Sequence, residues 1–114
     1  MRLRTIIKRI NVLICTESEL SRQQAFIESR LLEHQRERTR LDNQLDNGII
    51  DALVWTAKTD IVDMKISEAQ NLIDELGSKI KEKEEERFQL EDQLKQYKSD
   101  EINKAIELLG IFDE

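Results

Sequence analysis

The chain has 114 residues, of which 37% are charged and only 4% aromatic, and it contains three glycines and no proline. This composition favours long helices and excludes β-sandwiches and β-barrels, which need many turn residues. The apolar residues are strongly periodic, which argues against disorder. The composition therefore predicts an all-α protein of the coiled-coil type.

Charge is unevenly distributed along the chain. Residues 1–40 carry nine Lys or Arg and five Asp or Glu, a net charge of +4, whereas residues 41–114 carry nine and nineteen, a net charge of −10. Segments of opposite charge attract each other when they fold side by side. Because the basic stretch is short and its expected neighbour is acidic, we expect no nucleic-acid binding.

The first predicted element is a helix over residues 2–46. Its apolar residues recur at alternating spacings of three and four, which is the a/d heptad pattern of a coiled coil. Thirteen consecutive a and d positions, nine of them apolar, form this seam. They are Leu3, Ile6, Ile10, Leu13, Glu17, Leu20, Gln24, Ile27, Leu31, His34, Arg38, Leu41 and Leu45.

A second helix is predicted over residues 55–109, after a connection over residues 47–54, so that residues 1–114 form one helical hairpin. Asn47-Gly48 is the strongest break signal, because glycine ends helices cheaply in the left-handed conformation. The second seam also has thirteen positions, ten of them apolar. They are Trp55, Thr59, Val62, Ile66, Ala69, Ile73, Leu76, Ile80, Lys83, Arg87, Leu90, Leu94 and Tyr97.

Both ends of the second helix carry further signals. Trp55 is expected to close the end of the coiled coil, and an exposed, partner-binding tryptophan is the alternative. Leu109-Gly110 is typical of a helix C-cap, with Ile111 as its hydrophobic contact. The connection also contains apolar residues that need either self-packing or a partner. These are Ile49, Ile50, Leu53 and Val54.

Two helices joined by a short connection pack antiparallel, which predicts a long antiparallel two-helix coiled-coil hairpin. In one register the numbers of facing residues add to 100, so that Ile10 faces Leu90 and Glu17 forms an ion pair with Lys83. In a competing register they add to 93, which centres the turn on Asn47-Gly48 but opposes like charges. We prefer the first register because its charges are complementary.

In this register, residues 98–114 extend beyond the first helix. Ile7 and Ile14 widen the apolar stripe of the first helix near the same end. An apolar stripe without an intramolecular partner indicates a binding surface, and packing against the first residues or self-association is the alternative. The residues that we expect to bind a partner are Ile7, Ile14, Ile102, Ile106, Leu109, Ile111 and Phe112.

The sequence contains no pattern typical of catalysis. His34, the only histidine, falls on the seam without a ligand cluster, and Cys15, the only cysteine, falls at an outward position without a catalytic partner. We therefore expect a non-enzymatic protein that uses no metal and no cofactor. The single cysteine fits a reducing compartment, and no segment is long and apolar enough for stable membrane insertion.

The chain resembles the central stalk proteins of type III secretion systems, which include the flagellar export stalk and its virulence-system counterparts. The resemblance lies in the small size, the two long heptad arms and the opening Leu3-Arg4-Thr5-Ile6-Ile7-Lys8-Arg9-Ile10-Asn11-Val12-Leu13, which is similar to that of invasion-type members. It implies a hairpin like the coiled-coil stalk of the γ subunit in rotary ATP synthases.

The same resemblance implies a role in protein transport and a set of partners. It implies that the end carrying the termini binds and stimulates a hexameric secretion ATPase, and that the protein contacts the export gate and interacts with secretion chaperones. It implies a cytoplasmic location, peripheral at the inner membrane through the secretion apparatus. The alternative is a coiled-coil chaperone or scaffold that pairs with another helical protein, and a self-associating bundle is a further alternative.

Overall fold

A computed structural model describes residues 2–110, and its two long helices confirm the all-α hairpin. Helix α1 spans Leu3–Asp46 and helix α2 spans Ala52–Leu109, with no strand in the described part of the chain. The hairpin divides into two compact units. Unit 1 combines Met1–Ser18 with Ile80–Glu114, and unit 2 is Glu19–Lys79.

Burial follows the predicted seam. All thirteen seam positions of α1 are buried or half-buried, and so are twelve of the thirteen in α2, with Tyr97 the exception. The buried apolar residues keep 3–8% of their surface exposed, because a helix with one neighbour buries only a stripe. They are Ile6, Ile10, Leu13, Leu41, Val62, Ala69, Leu76 and Leu90.

In unit 1 the start of α1 packs antiparallel to the later part of α2. Ile6, Ile10 and Leu13 form a buried cluster with Leu90, and Leu94 packs against this cluster. The cluster agrees with the register in which facing residue numbers add to 100, since Ile10 and Leu90 face each other in it. The competing register would separate them by two turns of helix.

Glu17 pairs with Arg87, so the predicted ion pair between Glu17 and Lys83 is wrong. Arg87 Nε donates to Glu17 Oε2 at 2.7 Å and Arg87 Nη2 donates to Oε1 at 3.2 Å, a bidentate contact that lysine cannot make. Side chains on a helix lean toward its N-terminus, which carries the Arg87 guanidinium back to the level of Lys83. Arg87 also donates to Glu91 at 2.8 Å, and Lys83 lies 3.8 Å from Glu86 instead.

The contacts of Arg87 also affect its protonation. The hydrogen bond to Glu17 and then that to Glu91 raise the pKa of the Arg87 guanidinium above its ordinary value. A raised pKa means that the guanidinium keeps its positive charge until the pH rises through the folded-state value. The Arg87 charge therefore persists throughout neutral and mildly alkaline solution.

In unit 2 polar side chains connect the two helices in the same register. Gln24 Nε2 donates to the carbonyl of Ile73 at 3.1 Å, and Arg38 Nε lies 3.0 Å from Asp63 Oδ1. Gly77 adjoins the first contact, because a Cβ there would lie 3.3 Å from Gln24 Nε2. Glycine inside a helix costs about 1 kcal/mol relative to alanine, and here it leaves room for a hydrogen bond between the helices.

Helix α1 ends in a Schellman motif at the predicted break. Gly48 adopts a positive φ of 70°, which glycine tolerates without strain. The Ile49 amide donates to the Gln44 carbonyl at 2.9 Å, and the Gly48 amide donates to the Leu45 carbonyl at 3.1 Å. These two bonds satisfy carbonyls that the helix leaves free at its end.

The connection between the helices is shorter than predicted, because α2 begins at Ala52 instead of residue 55. Asp51 is the N-cap of α2: its Oδ1 accepts a hydrogen bond from the Val54 amide at 2.8 Å. An aspartate in this position satisfies an amide that the first turn leaves free. At the other end, Gly110 has a φ of 65°, which agrees with the predicted C-cap, while Ile111 lies outside the described residues.

Replacement of Leu41 by alanine tests the seam. Leu41 is 3% exposed, whereas Leu32 on the same helix is 48% exposed. We expect Leu41→Ala to lower the free energy of unfolding by about 2–3 kcal/mol, because it removes a buried leucine side chain. Leu32→Ala should change it by less than about 0.5 kcal/mol. Urea titration followed by circular dichroism measures both, and equal losses would contradict a seam at Leu41.

Replacement of Arg87 by methionine tests the ion pair in unit 1. We expect Arg87→Met to lower the urea midpoint, because it leaves the half-buried Glu17 carboxylate without its partner. The double variant Glu17→Leu/Arg87→Met should recover most of the loss, since neither charge remains in the seam. Lys83→Met is the matched control, and a larger loss in this control than in Arg87→Met would favour the Glu17–Lys83 pair.

Candidate partner-binding surface

The first turns of α1 carry basic residues, which are uncommon at a helix N-terminus. None of four exposed basic residues forms an ion pair within residues 2–110, and the first turn holds no acidic residue. Positive charge at this end opposes the helix dipole, so it does not serve the stability of α1. It gives the first turns of α1 a positive surface that attracts acidic groups. The residues are Arg2, Arg4, Lys8 and Arg9.

Two predicted site residues of α1 lie exposed beside this basic segment. Ile7 is 43% exposed and Ile14 is 45% exposed. They are two helical turns apart, about 10 Å, and therefore lie on the same side of α1. Their neighbours Ile6 and Leu13 are buried in the seam, so Ile7 and Ile14 form an apolar border along it.

Helix α2 continues beyond the start of α1. Leu3, the first residue of α1, faces Tyr97 in the register, so residues 98–109 extend past it for about 18 Å. Ile102 in this overhang is 60% exposed, and Ile106, one turn later, is half-buried. The overhang therefore presents apolar side chains that α1 does not cover.

Three further predicted site residues fall where the side chains are not described. Leu109 is the last residue of α2, and the structure describes its backbone only. Ile111 and Phe112 lie outside the described residues. Their assignment to the partner-binding surface stays a prediction.

Sequence reasoning did not assign two exposed apolar residues of unit 1 to the site. Leu108 is 88% exposed, although it continues the spacing of the α2 seam, because the seam has no α1 residue opposite it. Phe88 is 50% exposed and has the Arg87 guanidinium 4.8 Å from its ring centroid. The sequence does contain a signal for the exposure of Phe88, because this aromatic residue falls outside the a and d positions of the seam.

Unit 2 exposes a second apolar surface at the connection between the helices. Ile49 is 68% exposed, Leu53 is 80% exposed and Val54 is 38% exposed. A Schellman motif usually buries its last residue against the residue that supplies the carbonyl, but here that residue is the polar Gln44. Ile49 therefore remains at the surface on a well-capped turn.

Trp55 is half-buried and is held by polar contacts within unit 2. Its Nε1 donates to Asp42 Oδ1 at 2.9 Å, and the Arg38 guanidinium lies 5.0 Å from its ring centroid. Arg38 also pairs with Asp42 at 2.9 Å and with Asp63 at 3.0 Å. These contacts agree with the predicted role of Trp55 in closing the end of the coiled coil and hold the adjoining turn in place.

The single histidine and the single cysteine lie in different units. His34 is half-buried in unit 2, and Cys15 is exposed in unit 1. Among the described residues, no three His, Cys, Asp or Glu side chains are grouped as a metal ion would require. Neither helix, as far as it is described, has a stretch long and apolar enough to cross a membrane.

No protein-family model, no curated protein and no solved structure matches the chain. The exposed surfaces of the two units are therefore the basis for proposing a function.

Hydrogen exchange tests whether the overhang is free. We expect the amides of residues 101–108 to be protected at least ~10-fold less than those of residues 84–94, because a helical segment without a neighbour opens readily. Exchange measured on the isolated protein by NMR gives both values. Equal protection at low protein concentration would mean that another part of the chain covers the overhang.

Proposed function

We propose that the chain is a non-enzymatic coiled-coil stalk of a type III secretion export apparatus, which binds and stimulates the secretion ATPase and contacts the export gate. The observation that carries the proposal is the overhang of α2, where Ile102 is 60% exposed beyond the start of α1. The resemblance of the opening segment to invasion-type stalk proteins supplies the identity of these partners.

The proposed contact combines an apolar surface with positive charge. Ile7 and Ile14 border the seam on α1, Ile102 continues the apolar surface on α2, and the basic N-terminal residues lie beside them. Positive charge steers the protein toward acidic surfaces of a ring-shaped partner, and apolar contact then holds it there. A hexameric ATPase with a central opening offers such a surface to a helical hairpin.

The free energy gained by burying the exposed isoleucines is small, which indicates a reversible contact. Covering the exposed parts of three isoleucines contributes about 2–4 kcal/mol. A dissociation constant of about 1 mM corresponds to about 4 kcal/mol, so this surface alone gives weak binding. In the proposal, charge attraction adds to it, and the stalk exchanges during ATPase turnover. Interaction with secretion chaperones and a cytoplasmic location, peripheral at the inner membrane through the apparatus, belong to the same proposal.

A triple serine variant tests the proposed ATPase contact. Ile102→Ser/Ile106→Ser/Leu109→Ser should lose most stimulation of the secretion ATPase of the same organism, because it removes apolar area from the overhang. The helicity measured by circular dichroism should fall only slightly, since these positions lie outside the seam. Stimulation of ATP hydrolysis and helicity are measured on the same preparation.

The matched control places serines on the polar positions of the same segment. Glu101→Ser/Asn103→Ser/Lys104→Ser changes the same number of residues without removing apolar area, and it should keep nearly full stimulation. If the triple apolar variant stimulates normally, the ATPase contact lies elsewhere. If its helicity collapses, the overhang belongs to the folded core.

A second candidate function is a coiled-coil chaperone or scaffold that pairs with another helical protein. It is favoured by the exposed apolar turn of unit 2, where Leu53 is 80% exposed and Ile49 is 68% exposed. A scaffold of this kind would purify as an obligate heteromer, whereas the stalk would be a stable monomer that stimulates an ATPase. Sedimentation equilibrium of the purified protein separates these outcomes.

A further inference from the structure

Unit 2 contains an apolar groove between its two helices, on one side of the seam. A hollow of about 220 Å³ has Ile27 and Ala69 at its base and Phe26 and Leu72 on its walls. Phe26 is 62% exposed and Leu72 is 44% exposed. Exposed aromatic and aliphatic walls around an apolar base are typical of grooves that receive a helix.

The groove continues toward the connection between the helices. A second hollow of about 280 Å³ has Leu41 and Val62 among its lining residues, and Lys65 lines both hollows. Ile61, on the wall of the second hollow, is 57% exposed. Ile61 and Leu72 are about 16 Å apart along α2, which is the length of three helical turns.

The rim of the groove is positively charged although the whole chain has a net charge of −6. Arg40 and Glu37 on the rim neutralise each other at 3.7 Å, and Glu68 is the other acidic residue there. Three cations line the groove and form no ion pair within residues 2–110. They are Lys58, Lys65 and Arg30, whose guanidinium lies 5.2 Å from the centroid of the Phe26 ring.

We infer that this groove binds an acidic amphipathic helix of another protein. The apolar side of that helix packs on Phe26, Ile61 and Leu72, and its carboxylates lie beside the three cations of the rim. A second copy of the chain fits less well, because a two-fold contact through this groove brings identical cations together. The inference concerns unit 2 only and does not depend on the ATPase contact proposed for unit 1.

A pair of designed peptides provides the probe. The first is a fluorescein-labelled helix of about 18 residues, with leucines at i, i+4, i+7 and i+11 flanked by glutamates, and the second has lysine in place of every glutamate. We expect the acidic peptide to bind the full chain at least ~10-fold more tightly than the basic one at low salt. Added salt should reduce the difference, because it screens the rim charges. Fluorescence anisotropy measures both affinities.

Variants of the groove test where the peptide binds. Phe26→Ser and Leu72→Ser should each weaken binding of the acidic peptide at least ~10-fold, and both should stay folded because these side chains are exposed. Leu32→Ser is the matched control, since Leu32 is 48% exposed in the same unit but does not line the groove. The double variant Arg30→Glu/Lys65→Glu should reverse the preference between the two peptides.

Other results would contradict binding of an acidic helix in this groove. Absence of binding, equal binding of the two peptides, or an equal loss in Leu32→Ser would overturn the inference. A wild-type dimer that Phe26→Ser dissociates in sedimentation equilibrium would assign the groove to a second copy and also overturn it. The Ile102→Ser/Ile106→Ser/Leu109→Ser variant should bind the acidic peptide like the wild-type chain, so failure of the ATPase contact remains distinguishable from failure of the groove.

Discussion

The apolar seam between α1 and α2 sets the position of the other groups in each unit. In unit 1, the packing of Ile10 with Leu90 fixes both the register and the rotation of the two helical segments. With that rotation fixed, Ile7 lies beside the seam and not in it, and α2 extends past the start of α1. In unit 2, the same kind of packing brings Phe26 and Leu72 to the two walls of one groove.

Polar residues within the seam specify the register more than they add stability. The Glu17–Arg87 pair and the hydrogen bond from Gln24 to the Ile73 carbonyl are each satisfied in only one alignment of the helices. A shift of one heptad would leave these groups partly buried without partners, which is costly even where the original contact contributes little. Gly77 also helps to specify the register, because it makes room for the side-chain amide of Gln24.

The seam could be predicted from the sequence because, with one neighbour per helix, burial depends directly on residue spacing. The start of α2 was predicted three residues too late, although Asp51 is a sequence signal for it, because aspartate is a preferred N-cap residue. The partner of Glu17 was missed because spacing gives the level of an α-carbon and not the direction of a long side chain. The exposure of Ile7 and Ile102 followed from the heptad pattern, but the groove did not. The spacing of apolar residues within one helix cannot show that a second helix supplies the opposite wall of the groove.

The two caps at the connection have a consequence for the order of folding. Contacts near the connection close short loops, whereas Glu17 and Arg87 are 70 residues apart in sequence. Loop closure becomes more costly with length, by about 0.6 kcal/mol for each doubling. We therefore expect folding to begin in unit 2, at the capped turn, and the contacts of unit 1 to form last. For the same reason, we expect the contacts of unit 1 to open first when the native protein unfolds locally. A ligand that binds only the folded form of unit 1 would therefore stabilise it against this opening.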